Sequence, residues 1–154
     1  MKKKLVDAYM KTAETFAELS YAQRLHVGAI VVKDDRIISI GYNGMPAGWD
    51  NDCEQKEYIF HGGQADFLDE DGTKYNLKTR PEVLHAETNA IAKLARSSDS
   101  GLGADIFITH APCLDCAKLI YQSGIKRVWY GAEYRSGDGP EFLRKSGVEV
   151  NRVE

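Results

Sequence analysis

Residues His85-Ala86-Glu87 and Pro112-Cys113-Leu114-Asp115-Cys116 place one imidazole, two thiols and a carboxylate in two short runs, with enough chain between them for a helix and a strand. An imidazole and two thiolates suit a borderline-soft metal such as zinc. Three protein ligands are one short of a closed tetrahedral shell, which separates a catalytic zinc from a structural one. Zinc brings the pKa of a water down to about 7. Glu87, two residues after His85, is not needed as a ligand and is placed to carry protons to and from that water. Any fold this chain adopts has to bring the two runs together.

At 154 residues the chain is expected to form one domain with a substantial core. Its net charge is 20 − 23 = −3, and Lys2-Lys3-Lys4 is its one basic run. Polynucleotide surfaces are built from clustered Lys and Arg, so no nucleic-acid partner is expected. A small nucleotide needs only one or two cations in a pocket. The N-terminus lacks an apolar stretch of signal-peptide length and no apolar run approaches a membrane span, so no membrane partner and a cytoplasmic location are expected. Three cysteines, two of them in C-x-x-C, read as thiols of a reduced protein used as ligands, with Cys53 left over.

Leu5, Ala8, Tyr9, Thr12, Phe16 and Leu19 recur every three to four residues and predict an amphipathic helix over 3–19. Val27–Val32 and Ile37–Tyr42 are apolar, β-branched runs joined by the polar Lys33-Asp34-Asp35-Arg36, which reads as a hairpin. Residues 44–81 are Gly- and acid-rich, poorly periodic and too long for a simple connection. Beyond Pro81, helical spacing returns up to Arg96, with His85 and Glu87 in its first turns. Ile106-Phe107-Ile108 reads as a buried strand. Pro112 is then read as opening a helix that runs to Ser123 and stops at Gly124. Val128–Tyr130 is the next strand, Asp138-Gly139-Pro140-Glu141 caps a further helix, and Val148–Val150 is a last strand. Strands alternating with helices imply parallel crossovers. The predicted architecture is an α/β three-layer α/β/α sandwich whose five-stranded mixed sheet has an antiparallel hairpin followed by parallel strands.

A C-x-x-C alone is a weak signal. H-x-E at one helix start and P-C-x-x-C at the next, with a strand between, is far more specific, and it is a signature of zinc-dependent nucleobase deaminases. On these residues the chain resembles the cytidine deaminase superfamily and, within it, is most similar to the deoxycytidylate (dCMP) deaminase family. The closer likeness rests on Ser20, Arg24 and Val27-Gly28-Ala29 entering the first strand. It rests also on Gly41-Tyr42-Asn43-Gly44-Met45-Pro46 leaving the second, on His85 through Ile91, on Pro112 through Ile120, and on Ser123-Gly124-Ile125-Lys126. It covers nearly the whole of residues 1–154 apart from an insertion at about 47–80, which varies within the family.

The resemblance implies zinc on His85, Cys113 and Cys116, with Glu87 as the proton shuttle in a hydrolytic deamination of dCMP to dUMP. It implies a phosphate pocket of Ser20, Arg24, Asn43 and Tyr134. His110, three residues before Cys113, is either a lining of the base pocket or a strand-end histidine satisfied by backbone, and Ala86 is expected among the substrate-binding residues. It implies a homo-oligomer, often a hexamer, activated by dCTP and inhibited by dTTP near Gly41, Tyr42, Gly44 and Met45. Arg24 offers the fork of donors that suits a phosphate monoester. Cys53 and His61 could hold a second zinc. The acids Asp66, Asp69, Glu70 and Asp71 could take a Mg2+ accompanying a nucleoside triphosphate effector. The motif itself leaves other substrates open: free cytidine or deoxycytidine, guanine, or an adenosine in tRNA. A module with a purely structural zinc is the reading outside catalysis.

Overall fold

The computed structural model describes all residues 1–154. Helix α1 (Lys3–Ala17) is followed by β1 (Gly28–Lys33) and β2 (Arg36–Tyr42), and then by β3 (Glu54–Tyr58), β4 (Phe67–Leu68) and β5 (Lys74–Thr79). The remainder alternates: α2 (Ala86–Ala95), β6 (Asp105–His110), α3 (Leu114–Gln122), β7 (Arg127–Ala132), α4 (Asp138–Lys145) and β8 (Glu149–Arg152).

The main sheet runs β2-β1-β6-β7-β8. The pairs β2–β1 and β1–β6 are antiparallel, and β6–β7 and β7–β8 are parallel. Asp34 and Asp35 turn the hairpin with φ of 51° and 57°, the left-handed pair that a two-residue loop requires and that Asp tolerates better than most residues. Strand β1 is a continuous apolar run because both its faces are covered. Ala29 and Val31 join Ile106, Ile108 and Val128 under Ala86, Ala90, Leu94, Ala117, Ile120 and Leu143, from the three helices α2, α3 and α4. The alternate residues Ile30 and Val32 meet Phe107 under Val6, Met10 and Ala13 of α1. The result is the predicted three layers, with α1 alone on one face. No helix is long and apolar enough to cross a membrane.

Residues 44–81 differ from the sequence reading, which found no elements there. Strands β3, β5 and β4 form a separate antiparallel sheet, ordered β3-β5-β4. Its residues Glu54-Gln55-Lys56-Glu57-Tyr58 show no apolar alternation because neither face lies on the main core. Cross-strand pairs hold it instead: Phe67 stacks on Tyr75 with ring centroids 5.4 Å apart, and the Lys56 ammonium sits 4.7 Å from the centre of the Tyr75 ring.

Helix α2 is stitched along β2. Ser39 Oγ donates to Ala90 O (2.6 Å), Lys93 Nζ to Ile40 O (2.8 Å) and Asn89 Nδ2 to Tyr42 O (2.8 Å). Gly41 lies against the helix backbone, where a Cβ would overlap Ala86 O and come 2.7 Å from Ala90 N. Ahead of the helix, Gly44 and Leu84 exchange two backbone hydrogen bonds of 3.1 and 2.8 Å, fixing the chain as it enters His85. Gly41→Ala is therefore expected to push α2 off the sheet at a cost of about 1–3 kcal/mol or more, read as a lower urea midpoint. An unchanged midpoint would mean that the close approach is not a constraint.

Candidate active site

Both ligand runs end up at helix N-termini, shifted slightly from the sequence reading. His85 is not inside the first turn of α2 but is its N-cap, with φ −75° and ψ 154°. Cys113 is likewise the N-cap of α3, so Pro112 precedes the cap instead of opening the helix. Cap residues take an extended backbone that throws the side chain across the helix end. Here that geometry aims His85 Nδ1 and Cys113 Sγ at one point, and Cys116 in the first turn of α3 supplies the third atom. Cys113 Sγ also accepts a hydrogen bond from the Cys116 N–H (3.5 Å).

His85 Nδ1 lies 3.7 Å from Cys113 Sγ and 3.3 Å from Cys116 Sγ, and the three ligand atoms all fall within 4.8 Å of one another. For tetrahedral zinc, with Zn–N of about 2.0–2.1 Å and Zn–S of about 2.3 Å, the N···S separation is about 3.6 Å. The residues fit the metal. No fourth His, Cys, Asp or Glu atom joins the group. Its electrostatics favour a thiolate: Cys113 is brought down to about 4 by hydrogen bonds from the Cys116 thiol and from His85. Cys116 is pushed far above its ordinary value by that same bond and by burial, so the pair shares one charge until a metal neutralises both.

Glu87 stands in the first turn of α2 and is 4% exposed. Burial raises its carboxyl above the ordinary range, against the opposing pull of a hydrogen bond with Cys116. A carboxyl in that state exchanges protons more readily near neutral pH than an exposed one. Asp115, from the other ligand run, is spent on a surface ion pair with Lys118 (3.3 Å).

A cleft of about 510 Å³ contains His85, Glu87 and Cys113 in its wall, a size that suits a small ligand. Arg24, Asn43, Ala86, His110 and Tyr134 all line it; Ser20 does not. Ser20 is buried, its hydroxyl donating to Asn43 O (2.8 Å) and accepting from Ala22 N (3.2 Å). Asn43 spends both ends of its amide on backbone, accepting from Val27 N (2.9 Å) and donating to Leu25 O (2.8 Å). These two residues shape the wall that carries Arg24. Burial keeps His110 below its ordinary pKa and so neutral, beside the Thr109 hydroxyl at 2.9 Å. None of Gly41, Tyr42, Gly44 and Met45 lines the cleft.

Sequence reasoning missed Glu54 and Thr79 from the small sheet, and Glu133 and Arg135 after β7, which also line the cleft. Arg135 directly follows Tyr134 and is a second cation available to an anionic ligand. Only its place in a loop after a strand end could have signalled it. Cys53 and His61 gather no third ligand. Asp69 is engaged by Lys56 (3.1 Å) and Tyr58 (2.7 Å), and no acidic set comes within metal-binding range.

Cys116→Ala and His85→Ala are each expected to lower bound zinc from one per chain to well under one, measured by elemental analysis after dialysis. Cys53→Ala is expected to leave zinc unchanged, and loss of metal there would reveal a second site.

Residues 3–132 match the family model described as the cytidine and deoxycytidylate deaminase zinc-binding region. A solved structure of dCMP deaminase from the cyanophage S-TIM5, in complex with dCMP and dUMP, is 45% identical and superposes with a TM-score of 0.84, each chain covering 99% of the other. The deoxycytidylate deaminase of Enterobacteria phage T4 is 36% identical over 151 residues, covering 82% of this chain and 78% of that protein. The human deoxycytidylate deaminase is 36% identical over 141 residues, covering 86% and 71%. The family match over most of the chain and the His85–Cys113–Cys116 cluster beside a buried Glu87 agree, and the chain belongs to the cytidine and deoxycytidylate deaminases, zinc-dependent enzymes of the hydrolase class.

Proposed function

We propose that this enzyme hydrolyses dCMP to dUMP and ammonia, supplying the uridylate precursor of thymidylate. The observation that carries the reading is that one cleft joins His85 and Cys113 of the cluster, and Glu87, to Arg24 and Arg135. A phosphate monoester held by the guanidinium groups leaves the base to reach the cluster. The likeness to phage and human deoxycytidylate deaminases supports the same substrate.

Bound zinc supplies the Lewis acidity that makes water a nucleophile near neutral pH. Glu87 takes the proton of the attacking water, passes it to N3 as C4 is attacked, and delivers a proton to the departing amine. Its burial keeps that proton out of exchange with bulk water between steps. The N–H dipoles at the starts of α2 and α3 face the cluster and stabilise negative charge that builds on oxygen. Arg24 and Arg135 hold the phosphate by charge-assisted hydrogen bonds. Neutral His110 and the Ala86 backbone border the base.

Regulation by dCTP and dTTP and a homo-oligomeric state belong to the same proposal. The support in this chain is mechanical. Gly44 bonds to Leu84, and Tyr42 O accepts from Asn89 of α2, so an effector at residues 41–45 would bear directly on the helix that carries His85 and Glu87. Three free cysteines fit a reducing, cytoplasmic setting.

Ammonia release from dCMP, deoxycytidine and dCTP in parallel tests the substrate. Chelator-sensitive turnover that favours dCMP is expected, and a preference for deoxycytidine would remove the phosphate role of Arg24. Glu87→Gln is expected to keep one zinc per chain while kcat falls by about 10²–10⁴-fold, and substantial residual turnover would take Glu87 out of its role. Arg24→Ala is expected to raise KM for dCMP about tenfold or more and to weaken inhibition by inorganic phosphate. An unchanged KM would shift phosphate binding to Arg135.

A further inference from the structure

Glu54 opens β3 in the insertion, is 4% exposed, and lines the cleft. One of its carboxylate oxygens is fully used: Oε1 accepts from Gln23 N (2.9 Å) and Arg24 N (3.2 Å). The other, Oε2, is the one buried side-chain nitrogen or oxygen in the chain without a hydrogen-bond partner. Its cross-strand neighbour on β5 is Thr79, also in the cleft wall, whose hydroxyl accepts from the Arg24 guanidinium (3.4 Å). The small sheet thus holds Arg24 at both backbone and side chain, and it leaves a buried acceptor beside that residue.

A buried carboxylate oxygen without a donor is costly, and proteins rarely keep one unless something supplies the missing hydrogen bond. Resting on the dCMP reading above, three groups of the ligand compete for it. The phosphate is an anion and an acceptor, so a carboxylate repels it. The exocyclic amine is a donor, but it must lie at the zinc cluster and Glu87, whereas Glu54 is bonded to the backbone of the phosphate-binding Arg24. The sugar lies between base and phosphate, and in a 2′-deoxynucleotide its free donor is the 3′-hydroxyl. We infer that Glu54 accepts a hydrogen bond from the sugar 3′-hydroxyl of the bound nucleotide through Oε2, so that the insertion supplies a specificity-determining residue of the site.

Turnover of dCMP is compared with that of 2′,3′-dideoxycytidine 5′-monophosphate, which lacks only this hydroxyl, for the wild type and Glu54→Ala. The wild type is expected to favour dCMP in kcat/KM by about tenfold or more, the range for a hydrogen bond to a charged acceptor. Glu54→Ala is expected to bring the two substrates within about twofold of each other, because only dCMP loses an interaction. Damage to the 23–24 backbone would lower both substrates alike and leave the preference standing, and that result overturns the inference, as does a wild type without preference. If Glu54→Ala does not retain one zinc per chain, Glu54→Gln replaces it. This variant keeps an oxygen for Gln23 and Arg24 and presents an amide NH2 where the acceptor stood. It too is expected to shrink the preference, and an undiminished preference overturns the inference. Wild-type protein with one zinc per chain that turns over neither nucleotide would overturn the dCMP reading itself, a result distinct from a preserved preference.

Discussion

The site depends on two helices starting at the same place. His85 and Cys113 are N-caps, and a cap residue is where a chain in extended conformation turns into a helix with its side chain across the exposed N–H groups. Two such ends facing one another create a positive field that favours thiolates and a developing oxyanion. Much of the surrounding packing serves to hold the two ends in register. Helix α2 is fixed by its bonds to β2 and by the bare backbone of Gly41. The turn before α3 is fixed from outside by Gly139, where any side chain would overlap Pro112 O and meet Cys113 O at 3.0 Å. Because β2 and β6 both run antiparallel to β1, which lies between them, the chain leaving β2 and the chain leaving β6 emerge at the same end of the sheet.

Burial then assigns roles to groups that look alike in sequence. Each ligand run contains a carboxylate within two residues of a ligand. Glu87 is enclosed and carries a raised pKa, while Asp115 is exposed on α3 and paired with Lys118. Only the first is enclosed enough to hold a proton away from bulk water beside the His85–Cys113–Cys116 cluster. The same division separates the polar residues of the cleft. Asn43 and Ser20 spend their hydrogen bonds on backbone and give the wall its shape, whereas Arg24, Arg135 and Tyr134 remain at its surface. Another buried acid, Asp105, serves the fold alone, its Oδ1 accepting from Arg127 Nε (3.0 Å) and its Oδ2 from Trp129 Nε1 (2.9 Å).

The layered architecture was legible because it is written in apolar periodicity. The 3.6-residue spacing in α1, the unbroken Ala29–Val32 run and the Ile106–Ile108 strand each record which faces are covered. The clustering of His85, Cys113 and Cys116 was legible because zinc chemistry restricts residue types and spacing. The small sheet was not, since its strands are polar and exposed and are held by pairs such as Phe67–Tyr75 that exist only after the strands meet. Cap positions were misplaced by a residue or two, because helix boundaries follow backbone angles more than composition. Glu54 left no signal at all. It reads as one more acid in a polar stretch, and its burial beside Arg24 arises from contact between segments about thirty residues apart.

The central claim is that His85, Cys113 and Cys116 are the whole protein contribution to the metal, with Glu87 beside it and free. Zinc X-ray absorption spectroscopy of the wild type and of Glu87→Gln, each loaded with one zinc per chain, measures this directly. The account predicts two sulfur ligands at about 2.3 Å and lighter ligands at about 2.0–2.1 Å, with spectra that superimpose for the two proteins. A light-atom ligand lost or lengthened in Glu87→Gln would show that the glutamate is bound to the metal and contradict the account.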